Sequence, residues 1–139
     1  MKLKSYHKIV IAADGSAASG KTTGARLIAK KYGMRFLSSG LLYRYASYLI
    51  LRDKPKNQIS FLKKKFLNLN LTALNKKILH SPKISDHASL IAKKQKIRNI
   101  LKIFQKNFAK KYNKIIIEGR DIQTKILPHA DIKFFFKCN

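Results

Sequence analysis

The chain has 139 residues, which favours one domain, and its hydrophobic fraction of 45% is typical of a folded protein rather than a disordered one. Its 31 basic and 6 acidic residues give a formal net charge of +25, which attracts polyanions such as nucleic acid, acidic lipid or nucleotide phosphate. The basic residues are scattered and only six are arginine, so a lysine-rich solvated surface explains the charge better than a nucleic-acid interface. The lone cysteine, Cys138, excludes an internal disulfide and favours a reducing compartment.

The N-terminal segment has a basic start, but its apolar run is short and leads into a glycine-containing loop. We therefore interpret it as a first strand rather than a signal peptide. No apolar run approaches the roughly 20 residues that a membrane-spanning helix needs. These features predict a cytoplasmic protein without a membrane partner.

Short apolar runs alternate with stretches of helical spacing along the first third of the chain. Residues 8–13 form a continuous apolar run typical of a buried parallel strand. Residues 20–32 carry apolar side chains at helical spacing, and Gly33 predicts the end of that helix. A second strand is expected over 34–38 and a second helix over 39–53.

The middle of the chain is less regular. Residues 56–84 have no single period and predict either small helices or a partial hairpin. From Ser85 to Phe108, apolar residues recur on one helical face, with Ser85 or Asp86 as the cap.

Two further apolar runs, 114–119 and 131–138, predict the last strands. Strands that alternate with helices indicate an α/β domain with a mostly parallel sheet.

Residues 15–22, GSAASGKT, satisfy the pattern G-x-x-x-x-G-K-[ST]. The glycines let successive backbone N–H groups surround phosphate oxygens, and the N-terminus of the following helix adds partial positive charge. Lys21 would reach the terminal phosphates, and the Thr22 hydroxyl would ligate Mg²⁺ directly or through water. An ordinary glycine–serine turn is the alternative, but the strand before the loop and the helix after it favour a nucleoside triphosphate site.

Such a loop needs an acidic partner on a neighbouring strand to hold Mg²⁺ or its waters. Glu118 ends an apolar strand, Asp121 follows three residues later, and Asp14 directly precedes the loop. Because ligands of open α/β sheets bind at the carboxyl ends of strands, these acids predict a site there. A helix cap, or a partner for the surplus lysines, is the alternative role of Glu118.

Four sequence blocks follow one another in order: IAADGSAASGKTT, SSGLLYR, ISDHAS with the later KIR, and EGRDIQTKILPHADIKFFF. Together they resemble the bacterial cytidylate kinase family of nucleoside monophosphate kinases. The match runs from about Ile9 to the end of the chain and is weakest over 50–84. Four ordered blocks are far more specific than the phosphate loop alone.

The resemblance implies an ATP site with Mg²⁺ in the first block. Nine consecutive residues would bind the ATP phosphates: Gly15, Ser16, Ala17, Ala18, Ser19, Gly20, Lys21, Thr22 and Thr23. Thr22, Asp14 and Glu118 would hold Mg²⁺, in part through water.

The resemblance also implies the acceptor site and the reaction, which is transfer of the ATP γ-phosphoryl group to CMP or dCMP. Four residues would hold the nucleoside monophosphate: Ser39, Arg44, Arg120 and Asp121. Two more, Ser89 and Arg98, would read the cytosine ring, and both lie near one side of the single helix expected there. Three residues would be catalytic: Lys21, Arg120 and Asp121. Planar guanidinium groups suit the neutralisation of an acceptor phosphate.

The fold implied by the resemblance is a P-loop NTPase-type parallel sheet with flanking helices and a helical monophosphate-binding insert. Residues 1–139 would form a single partial kinase domain, with a core of 1–38 and 114–139 and a monophosphate-binding region of about 39–113. The family continues with an arginine-rich lid, a last helix and a last strand. We therefore expect a fragment, one half of a split gene or a degenerate copy.

Several features depart from the family pattern. Ser16 replaces a proline, Ser38 replaces an acid, and Gln123 replaces a glycine. If that glycine needs a positive φ or a close approach, Gln123 would strain the loop. Without lid arginines, phosphoryl transfer typically loses about 10³–10⁵ in rate, and the strand KFFFK would become an exposed sheet edge.

Three alternatives to an active cytidylate kinase stay open. The chain could bind nucleotide without activity, as a remnant or as a subunit that needs a second chain to supply the lid. It could be a kinase with another acceptor, such as UMP. It could also be a basic nucleic-acid-binding protein, although the sequence shows neither a basic stripe nor clearly interleaved aromatic residues.

Overall fold

Four parallel strands form one sheet in the spatial order β2–β3–β1–β4. The computed structural model describes residues 8–16 and 20–137. Its strands are β1 (Ile9–Gly15), β2 (Arg35–Ser38), β3 (Lys114–Gly119) and β4 (Ile132–Phe136). Strand β1 pairs with both β3 and β4, and β2 pairs with β3. The predicted α/β class with a parallel sheet is confirmed.

Five α-helices are found in the described residues: α1 (Lys21–Tyr32), α2 (Ser39–Asp53), α3 (Gln58–Leu67), α4 (Pro82–Ile91) and α5 (Gln95–Lys111). Short 3₁₀ turns lie at Leu71–Asn75 and Lys77–His80, and a π-helical turn lies at Ile122–Ile126. The irregular middle of the chain therefore consists of small helices and not of a hairpin. Within the described ranges, no helix is long and apolar enough to cross a bilayer.

The prediction of a single helix from Ser85 to Phe108 is wrong, because α4 and α5 are separate helices. The N-cap of α4 is Ser81, whose hydroxyl accepts the N–H of Ile84 at 3.4 Å, with proline next in the chain. A tight turn at residues 92–94 ends α4 before α5 begins. Both helices bury one apolar face, so the helical periodicity continues across the break and conceals it.

Two compact units make up the chain. The sheet unit consists of Met1–Ser39 and Gln105–Asn139, and the helical unit consists of Gly40–Phe104. In the sheet unit, one face of the sheet packs on α1 through six buried apolar residues: Ile11, Ala13, Ala25, Ala29, Met34 and Ile116. The central strand β3 is buried almost throughout, which explains its continuous run of isoleucines.

Helix α1 lies close to the edge strand β4 at one point. A Cβ atom added to Gly24 would lie 2.5 Å from Cε1 of Phe136, so glycine at this position permits the contact. The rest of β4 is open, and the Phe135 side chain is 64% exposed.

The helical unit is held together by apolar and aromatic contacts. Tyr45 and Phe66 lie edge to face with ring centroids 6.1 Å apart, and Phe66 and Phe104 repeat this at 5.6 Å. One polar pair is also buried there: the Ser47 hydroxyl lies 2.6 Å from Nδ1 of His87. Ser47 has no exposed surface.

Candidate active site

The carboxyl ends of three neighbouring strands meet at one edge of the sheet. Ala13 of β1 and Ser38 of β2 both pair in register with Glu118 of β3. Asp14 pairs with Gly119 one position further along. Polar side chains far apart in the chain are therefore neighbours, as expected for a ligand site in an open parallel sheet.

The phosphate loop leaves β1 at Gly15 and enters α1 after Gly20. Gly20 has φ of 81°, a left-handed conformation that favours glycine, and its carbonyl accepts the N–H of Gly24 at 2.8 Å. Ser16 is exposed, whereas the predicted phosphate-binding residues 17–19 (Ala17, Ala18 and Ser19) lie outside the described residues. The expected strand lies before these residues and the expected helix lies after them.

The Lys21 side chain returns to the end of β1, where its Nζ donates to the carbonyl oxygen of Gly15 at 2.6 Å. Burial lowers the pKa of Lys21 from its ordinary value, and the charge of Arg120 lowers it further. The carboxylates of Glu118 and Asp14 act in the opposite direction. An anionic ligand would stabilise the charged form of Lys21, because it would compensate for the lost hydration.

Glu118 is 2% exposed and holds two hydroxyl groups on one oxygen. Its Oε1 accepts from Thr22 Oγ1 at 2.9 Å and from Ser38 Oγ at 2.5 Å. Its other oxygen, Oε2, is buried without a hydrogen-bond partner among the described residues. A buried carboxylate oxygen without a donor is an unusual arrangement that a bound cation would satisfy.

The residues around Glu118 are suited to Mg²⁺. A carboxylate and a hydroxyl are hard oxygen ligands, and Mg²⁺ commonly uses one or two carboxylates together with substrate phosphates. In the described part of the chain, no group of three or more His, Cys, Asp or Glu side chains could form a cage for a metal. This donor set fits a magnesium ion that also binds nucleotide phosphates.

Asp14 holds the loop that follows β3. Its two carboxylate oxygens accept the backbone N–H groups of Ile122 at 2.7 Å and Gln123 at 2.8 Å. Asp14 is only 7% exposed, so these charge-assisted bonds fix the loop firmly to β1. The metal role of Asp14 stays a prediction, since each of its oxygens accepts one hydrogen bond and keeps a further lone pair.

Arg120 and Asp121 are exposed on this anchored loop. Asp121 has φ of 58°. Among the described residues other than glycine, Lys54 is the one other residue with a positive φ. A positive φ is therefore not required at Gln123, because the left-handed position lies two residues earlier. The Gln123 side chain instead donates from Nε2 to the carbonyl of Phe134 at 2.6 Å and connects the loop to β4.

Gly119 permits a close approach between β3 and the start of α2. A Cβ atom at this position would lie 2.7 Å from Cβ of Ser39 and 3.1 Å from Cδ1 of Ile122. Ser39 is itself buried, at 7% exposure. The acceptor-site residue predicted at Ser39 thus lies against the backbone that presents Arg120.

Comparison with known proteins identifies the family. Residues 11–139 match the family model described as cytidylate kinase. The chain belongs to the cytidylate kinase family. Relatives named cytidylate kinase include those of Bartonella tribocorum (43% identical over 135 residues), Bartonella quintana (39% over 135) and Clostridium tetani (34% over 140). The alignments cover 94%, 94% and 92% of this chain and 61% of each relative, so the chain spans about 61% of their length.

Membership of the cytidylate kinase family confirms the resemblance that the four sequence blocks indicated. Three of the residues predicted from it lie in the helical unit, where each donates to a carbonyl of that unit. Arg44 Nη1 donates to Leu79 at 3.3 Å, Ser89 Oγ to Ser85 at 3.2 Å and Arg98 Nη1 to Ala92 at 3.1 Å. Their roles in nucleotide binding stay predictions.

The arrangement predicted for Ser89 and Arg98, the two residues expected to contact the cytosine ring, is wrong in one respect. Ser89 lies on α4 and Arg98 on α5, so they do not share one side of a single helix. Ser89 is exposed and Arg98 is half-buried.

Sequence reasoning missed the role of Ser38. This residue was noticed only because it replaces the acid of the cytidylate kinase pattern, whereas the structure places its hydroxyl on Glu118. Its position at the carboxyl end of a predicted strand, directly before Ser39, was the available signal.

Proposed function

We propose that this chain takes part in transfer of the γ-phosphoryl group of ATP to CMP or dCMP, giving ADP and CDP or dCDP. The observation that carries the proposal is the contact of Thr22, at the start of the helix after the phosphate loop, with the buried carboxylate of Glu118. Together with Lys21, which donates to Gly15, these residues form a group suited to nucleotide phosphates and magnesium. Membership of the cytidylate kinase family supports the choice of acceptor.

The donor end of the reaction would use the phosphate loop, residues 15–23. Its N–H groups and Lys21 would bind the phosphates of ATP, while Thr22 and Glu118 would hold Mg²⁺, with Asp14 contributing through water. The metal would neutralise charge on the phosphate oxygens. Glu118 Oε2 supports this assignment, because it is buried and has no donor among the described residues.

The acceptor end would use the loop that Asp14 anchors. Arg120 would bind the acceptor phosphate and Asp121 the nucleoside, together with Ser39 and Arg44. Ser89 and Arg98 would contact the cytosine.

Arg120 is close enough to lower the pKa of Lys21, so both cations act on the same region, where charge must be neutralised during transfer.

The transfer itself would be direct and in line, with no covalent protein intermediate. The residues around Glu118 and Lys21 would position the reacting groups and stabilise charge, which are the main sources of catalysis in phosphoryl transfer. Lys21, Arg120 and Asp121 are the residues that we assign to the reacting phosphates and the acceptor.

A coupled assay of ADP formation tests the proposal. Purified protein is given ATP and Mg²⁺ with CMP, dCMP or UMP, and titration calorimetry measures ATP binding in parallel. We expect ATP to bind and CMP or dCMP to be phosphorylated in preference to UMP. Binding without turnover would favour the alternative of an inactive chain, or one completed by a second chain. Absence of ATP binding by folded protein would overturn the proposal.

A further inference from the structure

A cluster of cations lies at the amino ends of β1, β2 and β3, the opposite edge of the sheet from the candidate active site. We call it the basic rim, and it consists of seven residues: Lys8, Lys30, Lys31, Arg35, Lys110, Lys111 and Lys114. All are exposed except Lys114, which is half-buried.

Parallel pairing brings these residues together from three parts of the chain. Ile9 pairs with Lys114 and Arg35 pairs with Ile115, so the three strands begin at nearly the same level. Neighbouring strands lie about 4.8 Å apart, so the cations at the three strand starts span about 10 Å. Helices α1 and α5 end just before β2 and β3, which places their terminal lysines at the same edge.

Aromatic rings lie among the cations of the basic rim. The guanidinium carbon of Arg35 is 4.2 Å from the ring centroid of Tyr112, and Nζ of Lys111 is 5.4 Å from the same centroid. Lys31 lies over Tyr32 at 5.6 Å. Arg35 and Tyr112 are thus in cation–π contact, and both groups are planar surfaces of the kind on which bases stack. We call this pair the Arg35–Tyr112 platform.

The acids of the sheet unit lie mainly at the other edge of the sheet. Asp14, Glu118 and Asp121 follow or end strands at the carboxyl side. Asp131 is the acid nearest the amino side, and its Oδ2 accepts the backbone N–H of Val10 at 2.8 Å. The basic rim therefore has seven positive charges, with Asp131 the nearest acid of the sheet unit.

We propose that the basic rim binds single-stranded nucleic acid. Its cations would contact successive backbone phosphates, and the Arg35–Tyr112 platform would stack on a base. The Arg35–Tyr112 pair favours nucleic acid over a lipid surface, because a base can stack on it. Leu27, one helical turn before Lys30, is 63% exposed, so binding to lipid vesicles is tested separately. The proposal does not depend on phosphoryl transfer, because it concerns the opposite edge of the sheet.

Fluorescence anisotropy with a labelled oligouridylate of about 12 nucleotides tests this binding. The salt concentration is varied between about 50 and 200 mM. We expect Arg35→Gln with Lys111→Gln to weaken binding about tenfold at the lower salt and to reduce the logarithmic salt slope by about 0.7 for each lost phosphate contact. Lys63→Gln with Lys96→Gln is the matched control, because it removes two exposed lysines from the helical unit and should change affinity less than about twofold.

Tyr112→Leu separates stacking from charge. It keeps every cation and should weaken binding to the oligonucleotide about tenfold, while inorganic polyphosphate should bind the variant as well as it binds the wild type. Circular dichroism checks that this variant folds, because Tyr112 also contacts Phe108 with ring centroids 5.2 Å apart. If it does not fold, Arg35→Lys decides the question, because this variant keeps the charge and removes the planar guanidinium.

Four results would overturn the proposal. They are absence of oligonucleotide binding, an equal loss in the control pair, displacement of the oligonucleotide by ATP with Mg²⁺, and rim-dependent binding to phosphatidylserine vesicles but not to the oligonucleotide. Equal losses for polyphosphate and oligonucleotide in Tyr112→Leu would also contradict base stacking.

Discussion

Thr22 Oγ1 on α1 donates a hydrogen bond to Glu118 Oε1 on β3 across 2.9 Å, although 96 positions separate them in the chain. The bond joins the helix that follows the phosphate loop to the neighbouring strand. Ser38 adds a second hydroxyl to the same oxygen. The carboxylate is therefore oriented by its surroundings, and its second oxygen is buried without a hydrogen-bond partner among the described residues.

Substitution of Glu118 by glutamine should weaken the effect of Mg²⁺ on nucleotide binding. The amide keeps an oxygen for Thr22 but loses the negative charge that a divalent cation requires. Calorimetric titration with ATP in Mg²⁺ and in EDTA measures this, and we expect the affinity gained from Mg²⁺ to fall about 10- to 100-fold. An unchanged response to Mg²⁺ would remove Glu118 from the metal site, and ATP binding in EDTA is the internal control.

Lys21→Ala should abolish phosphoryl transfer without unfolding the protein. Lys21 is only part-buried and makes one hydrogen bond to the loop, so its loss costs little stability. Its charge would be missing from the developing transition state. The coupled assay and thermal unfolding measure the two effects, and exposed Lys63→Ala is the matched control. Full turnover by Lys21→Ala would contradict its assignment.

Asp14→Asn should destabilise the sheet unit. An amide has one oxygen in place of two, so either the N–H of Ile122 or that of Gln123 loses its partner. We expect the free energy of unfolding to fall by about 1–3 kcal/mol, the cost of an unsatisfied buried donor. Urea denaturation measures the change, with exposed Asp86→Asn as the control. Equal stability of wild type and Asp14→Asn would show that the loop is held by other contacts.

Gly119→Ala should destabilise the protein because its Cβ would lie 2.7 Å from Cβ of buried Ser39. Overpacking of this kind costs about 1–3 kcal/mol. Removal of the opposing atom in Ser39→Gly should recover part of that loss, which a double-mutant cycle on unfolding free energies would detect as coupling. Additive effects of the two substitutions would argue against the contact.

Acidification should weaken the helical unit through His87. Burial lowers the pKa of His87 below its usual 6.5, and the charge of Lys94 lowers it further. At a pH between the two pKa values of His87, the unfolded chain binds more protons than the folded chain. The free energy of unfolding is therefore unaffected by the titration of His87 above pH 6.5 and declines as the pH falls below it. Unfolding free energies measured across this range should fall more steeply for wild type than for His87→Gln. Exposed His80→Gln should follow the wild type, and parallel curves for all three proteins would refute the role of His87.

Helix and strand ranges were predictable where the signal is local. Helix α2 and strand β3 occupy the predicted ranges 39–53 and 114–119, because an apolar pattern and its breaks lie within one short window. Gly33 ends α1 as expected, with φ of 63°. Strand β1 extends two residues beyond the predicted run 8–13, since pairing with β3 and β4 continues through Asp14 and Gly15.

Amino-acid sequence by itself determined the phosphate-loop motif and the alternation of strands and helices, because each depends on residues close together in the chain. It also determined the family, because four blocks follow one another in a fixed order. Only the tertiary structure decided that Asp14 holds a distant loop, that Ser38 and Thr22 share one oxygen of Glu118, and that seven cations form a rim. These relationships depend on which strands pair and in which register. Pairing is set by burial of whole faces of the sheet, which no short stretch of sequence encodes.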